Sequence, residues 1–184
     1  MRSISFARRL ASLSFGALLA ASIAGPGAFA QTTGSIDKGE SGLPLPRFVS
    51  LKSGRVNLRV GPGKDYAVDW MYLKPGLPME VIQEYDTWRR VRDADGTEGW
   101  VSQSLLSGKR TAIAAPWHRG KETMISLRTE PNAGAPALAV IEPGAMGVID
   151  TCDGAWCRMT FSGEEGYVEQ TLIWGAYPGE TVED

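Results

Sequence analysis

Histidine is nearly missing from this chain: His118 is the one imidazole in 184 residues. That excludes most imidazole-built metal sites and leaves room for no more than one His-based catalytic triad. Cysteine is almost as scarce. Cys152 and Cys157 with a single His cannot supply the four ligands of a structural zinc site. A surplus of positive charge is also lacking. The net charge is −2, and the first thirty residues hold three Arg and no acid, which leaves the remainder at −5. Nothing is in excess to neutralise phosphates, which argues against nucleic acid as a partner. The one extended apolar run, Leu10 to Ala24, covers fifteen residues, short of the roughly 20 that span a bilayer. With 22 Gly and 11 Pro, long helices are not expected either. What remains is ordinary globular composition, 43% hydrophobic and 22% charged, enough for one medium domain or two small ones.

The apolar run follows a cationic start with Arg2, Arg8 and Arg9. Gly25-Pro26-Gly27 then breaks any helix, and Ala28-Phe29-Ala30 places small residues at −3 and −1 of a cleavage site. This three-part layout is that of a secretory signal peptide over residues 1–30. The expected mature protein is exported, to a periplasm or the extracellular space, with no membrane insertion after cleavage. Residues 31–46, polar and Gly-rich with two prolines, read as a flexible leader.

After the leader the chain repeats itself. Arg55-Val56-Asn57-Leu58-Arg59 is echoed by Met124-Ile125-Ser126-Leu127-Arg128, Pro75-Gly76 by Pro143-Gly144, Trp88 by Trp156, and Gly99-Trp100-Val101 by Gly166-Tyr167-Val168. The spacing drifts only between 67 and 69 positions, as single-residue deletions in loops between equivalent strands would leave it. Val56, Leu58 and Val60 alternate with polar neighbours, the period of a half-buried strand. Turn residues at Lys74-Pro75-Gly76, Asp86-Thr87 and Asp93 to Gly96 divide the first unit into five short strands, and Ser102 to Leu106 reads as one helical turn. The expected fold is all-β: two tandem small five-stranded barrels, closed because closure removes exposed edges.

The order Asn-Leu-Arg-x-Gly-Pro, then Pro-Gly, then a Trp opening a strand, then Gly-Trp-Val resembles the bacterial Src-homology-3 (SH3) domain. The likeness covers residues 47–107 and 116–174, the second copy carrying Ser126 for Asn and Glu130-Pro131-Asn132 for Gly-Pro-Gly. The resemblance implies SH3-like barrels in an exported or envelope protein, often one held to cell-wall peptides. Residues 175–184, with Glu180, Glu183 and Asp184, read as a disordered acidic tail.

Cys152 and Cys157 flank Asp153-Gly154-Ala155-Trp156, so paired strands would set the two side chains opposite each other at bridging distance. An oxidising compartment favours a disulfide. A redox motif would need a spacing of two, and free thiols are the remaining alternative. The first copy has Glu84 and Arg89 at the matching positions, where an ion pair could stand.

The aromatics are the candidates for function. Six Trp and five Tyr all fall after residue 30. Trp100 and Tyr167, each after a Gly, read as core or half-core; Trp88 and Trp156, beside turns, could be core or surface. Tyr66, Trp70, Tyr85 and Trp88 are the expected ligand-binding residues, forming a groove for an extended peptide. Ala135 and Ala139 stand near the places of Tyr66 and Trp70 in the second copy, which makes the first copy the expected binder and the second a scaffold or dimer contact. Arg59 and Arg128 are expected to brace the loops after them, although a guanidinium fork also suits a carboxylate. Asp93-x-Asp95-Gly96 opens like a calcium loop but has Ser104 where the bidentate Glu should be, so a solvated turn is the reading. His118 falls between the repeats with no nucleophile placed near it, and reads as a surface residue. No catalytic group, metal or cofactor is expected. The chain reads as a non-enzymatic exported module for a peptidoglycan peptide or another extended envelope peptide. The alternative is an envelope structural or inhibitory protein that binds a protein partner and not the wall.

Overall fold

The five strands expected in each repeat are present, and each sheet recruits further short ones. The computed structural model describes residues 37–183; the signal-peptide assignment, the first part of the leader and Asp184 lie outside them. A hairpin of β1 (Asp37–Lys38) and β2 (Pro44–Leu45) comes first. The first barrel comprises β3 (Arg47–Leu51), β4 (Val56–Arg59), β5 (Val68–Tyr72), β6 (Pro78–Tyr85), β7 (Trp88–Arg92), β8 (Glu98–Ser102) and β9 (Leu106–Ser107). The second comprises β10 (Thr111–Ala114), β11 (Ile125–Arg128), β12 (Ala137–Ile141), β13 (Met146–Asp153), β14 (Trp156–Phe161), β15 (Glu164–Glu169), β16 (Ile173–Trp174) and β17 (Thr181–Val182).

The strand order of the first sheet is β5-β4-β8-β7-β6-β3-β9, and that of the second is β12-β11-β15-β14-β13-β10-β16, with β17 attached to β13. The two orders are one topology written twice, and every pairing is antiparallel. Even the irregularities recur: the register shifts between Leu58 and Arg59 as between Leu127 and Arg128, and in β6 as in β13. Such bulges re-aim the side chain that follows, here an Arg in both copies.

Period-two alternation sends Val56, Leu58, Val91 and Val101 into one core, and Ile125, Leu127, Met159 and Val168 into another. Full burial of each such side chain contributes about 1.5–3 kcal/mol. Gly99 and Gly166 are required by close approach: a Cβ there would meet Leu58 and the Arg59 carbonyl, or Leu127 and the Arg128 carbonyl.

Three expected boundaries are corrected. Residues 37–46 are not a loose leader but the β1–β2 hairpin, tied down by Ser41, whose N–H and hydroxyl donate to the Glu84 carboxylate at 2.7 and 2.8 Å. The second barrel begins at Thr111 and not at residue 116, because β10 pairs with both β13 and β16. The acidic end is not loose either. Val182 is buried opposite Cys152, and Glu180 accepts from Arg110 at 2.8 and 3.0 Å, so the tail's charge has a partner that composition could not reveal.

The barrels pack together through residues of both. Phe48 meets Trp174 edge-on at 5.0 Å and Tyr177 at 4.7 Å between centroids. Thr111 Oγ1 donates to the Gly76 carbonyl, the Tyr177 hydroxyl to Glu80, and Arg119 to Asp95.

Candidate functional site

The outward face of the first barrel is set by the same alternation that fills its core. Val56 and Leu58 point inward, so Arg55, Asn57 and Arg59 fall on the other side. Met71 is the cross-strand partner of Asn57, and Ser102 is that of Trp88. Together with Lys64 from the loop after β4, and Ser104 and Leu105 from the 3-10 turn Gln103–Leu105, these residues line an open groove of about 580 Å³. Trp88 and Met71 give it an apolar wall, and two hydroxyls and an amide give it hydrogen-bonding groups. Arg55, Arg59 and Lys64 give it positive charge, with no acid among the lining residues.

Arg59 is held in place from within. Its Nη1 donates to the Tyr66 carbonyl at 2.6 Å, and Arg128 does the same to Ala135 at 2.7 Å. Both arginines therefore brace their loops, as expected.

Of the four aromatics expected to bind together, only Trp88 lines this groove. The Tyr66 ring lies over Gly61 and Gly63, where a Cβ on Gly61 would collide with it; its part is to hold the loop that holds Arg59. Trp70, 58% exposed, turns to the other face of β5 and lines a separate cleft with Tyr72, Asp93, Ile113 and Arg119. Tyr85, 56% exposed, opposes Trp88 at the hairpin end and lines neither. Of core and half-core, Trp100 and Tyr167 take the second, outside both buried clusters. Each is half-buried on the outer face, Trp100 opposite Arg59 and Arg90, Tyr167 opposite Arg128 and Arg158. The Gly before each belongs to the inward register, so the aromatic must face out.

Sequence reasoning missed Arg55, Asn57, Lys64, Met71, Ser102 and Ser104. The alternation of β4 carried the signal for Arg55 and Asn57, since residues opposite an apolar stripe share a face. Lys64 and Ser104 come from loops, where no period applies.

The remaining candidates serve structure. Asp93 accepts from the Asp95 and Thr97 N–H groups and from the Tyr72 hydroxyl, so it organises a turn. Burial, and then this bond to Asp93, push the Tyr72 hydroxyl pKa well up. Cys152 and Cys157 are joined in a disulfide, with Cα atoms 4.1 Å apart across β13–β14. At the matching place Glu84 and Arg89 form an ion pair at 3.2 Å, and Glu84 also takes Arg47 at 2.6 Å. His118 closes the 3-10 turn Pro116–His118, half-buried beside Trp117.

Two antiparallel sheets of one topology, each with a 3-10 turn before the short strand that ends its order, β9 or β16, define a tandem of SH3-like barrels. Residues 52–108 and 121–175 both match the bacterial SH3 domain, and the chain belongs to that family. No curated protein matches it. Among solved structures it is similar to NlpC2 from Trichomonas vaginalis (12% identity, TM-score 0.30, 70% of this chain and 48% of that one). It is similar also to NlpC1 from the same organism (13% identity, TM-score 0.30, 74% and 48%). The chain thus spans about half the length of either.

Proposed function

We propose that this chain is an exported, non-enzymatic binding module whose first barrel docks an extended peptide of the cell wall. The observation that carries this reading is the Trp88 groove: a concave strip beside a half-buried indole, edged by hydrogen-bonding groups, in a family member with a duplicated barrel. An extended chain offers alternating side chains and backbone groups to such a strip. The disulfide suits an oxidising compartment and consumes both thiols that could have served as nucleophiles. The test is co-sedimentation of the mature protein with purified insoluble cell wall, with Trp88→Ala alongside. Pelleting that the variant loses supports the reading; a wild type that stays in the supernatant at low and moderate salt refutes it.

A protein partner in the envelope is the second reading. It is favoured by Leu138 and Val140, 52% and 60% exposed on β12, a strand at the end of its sheet order.

A further inference from the structure

Most arginines of this protein are spoken for. Of the ten among the described residues, Arg47 and Arg89 pair with Glu84, Arg90 and Arg92 with Glu98, and Arg92 also with Glu80. Arg110 pairs with Glu180, Arg119 with Asp95 and Arg158 with Glu165. The three without an acidic partner among the described residues are Arg55, Arg59 and Arg128. Two of them line the Trp88 groove, and Lys64 joins them there, also in no ion pair among the described residues. In a chain whose remainder carries −5, three uncompensated cations in one groove are a local reversal of sign.

The second barrel serves as an internal comparison, since it has the same topology. Register places Met124 where the first barrel has Arg55, Ser126 for Asn57, and Val140 for Met71. The loops between β4–β5 and β11–β12 are of equal length, which puts Ala133 in the place of Lys64. Trp156 keeps the indole, but its cross-strand partner is Glu169 and not Ser102. Only Arg128 keeps its charge, and an acid, Glu169, stands where the first barrel has Ser102. The Trp and the bracing Arg are thus common to both barrels and belong to the fold, whereas Arg55, Asn57 and Lys64 occur together only in the first.

Asn57 is half-buried and lines the groove, between Arg55 and Arg59 in the chain, where the second barrel has Ser126.

We infer that the Trp88 groove recognises a peptide by its free carboxylate, which meets Arg55, Lys64 and the uncommitted side of Arg59. The inference rests on the peptide-binding reading above and narrows it to acidic ligands and to one barrel. A planar guanidinium fork binds a carboxylate in two parallel bonds, which an uncharged amide cannot accept.

The test uses the full mature chain and two probes, N-acetyl-trialanine with a free C-terminal carboxylate and the same peptide amidated, titrated by calorimetry at low salt. The free acid binds with a stoichiometry of one and the amide at least tenfold more weakly. Raising salt weakens the acid alone, and Arg55→Gln with Lys64→Gln removes the difference between the probes. Equal affinities for the two, two sites per chain, or no heat from either at millimolar peptide each overturn the inference. Wall co-sedimentation of the Arg55→Gln, Lys64→Gln protein is run beside it. Pelleting that persists without acid–amide discrimination refutes the carboxylate and leaves wall binding standing. Discrimination that persists in a protein that never pellets refutes the wall and leaves the carboxylate site.

Discussion

Glu84 and Arg89 face each other across β6–β7 at the ladder position that Cys152 and Cys157 hold across β13–β14. One copy closes this hairpin with a covalent bond and the other with an ion pair. The pair is buried. The Glu84 side chain is 1% exposed, and it also receives Arg47 and both donors of Ser41. An exposed pair contributes little, but a buried carboxylate surrounded by donors is costly to break.

Replacing Glu84 by Ala is therefore expected to destabilise the chain by about 3 kcal/mol, because it leaves Arg89 buried without its counter-charge. Equilibrium urea unfolding measures this. A loss below about 1 kcal/mol would mean that the pair behaves as a surface pair.

The same carboxylate sets a pH dependence. Burial alone would raise its pKa, but the Ser41 N–H and hydroxyl and the Arg47 guanidinium outweigh burial and hold it at about 2, below the ordinary 4.5. A depressed acid stabilises the fold above its unfolded pKa and loses that contribution as pH falls through the folded one. Stability should fall between about pH 5 and pH 2, and Glu84→Gln should flatten that slope. Urea midpoints of both proteins across this range decide it.

Opening the disulfide should cost about 2 kcal/mol, the loop-entropy value for so short a ring. It should leave the Trp88 groove unaffected, since the bridge lies in the other barrel. Thermal melts with and without reductant, paired with wall sedimentation, test both halves. Lost pelleting on reduction would tie binding to the second barrel.

Tyr85→Ala and Trp156→Ala should both keep wall binding that Trp88→Ala loses, although all three remove an aromatic ring. Tyr85 lines no part of the groove, and Trp156 stands beside Glu169 in the barrel without the cations. Retained fluorescence and melting profiles would show that each variant is folded. A Tyr85→Ala protein that no longer pellets would return the site to the hairpin end.

Tyr177→Phe removes the hydroxyl that donates to Glu80 at 2.9 Å between the barrels. A hydrogen bond to a charged group contributes about 1.5–3 kcal/mol, so a measurable fall in the urea midpoint is expected. An unchanged midpoint would mean that this bond adds nothing to the contacts with Phe48, Arg110 and Cys152 that hold the tail.

The sequence alone determined the repeat, its strands and turns, the likeness to the SH3 domain and the position of the disulfide. These are local: a period of two, a Pro-Gly turn and an Asp-Gly hairpin act over a few residues and read the same in any context. It also singled out the first copy, whose groove the proposal uses, although of its four aromatics only Trp88 lines that groove. Only the tertiary structure decided that Trp88 and not Tyr85 faces the groove, that Trp100 turns outward, and that residues 37–46 and the tail up to Val182 are tied down. It alone also showed which arginines lack an acid. Glu84 takes Arg47 from 37 positions away, and Glu180 takes Arg110 from 70. Charge compensation is a matter of distance in space, and two of the three arginines left without an acid among the described residues line the groove.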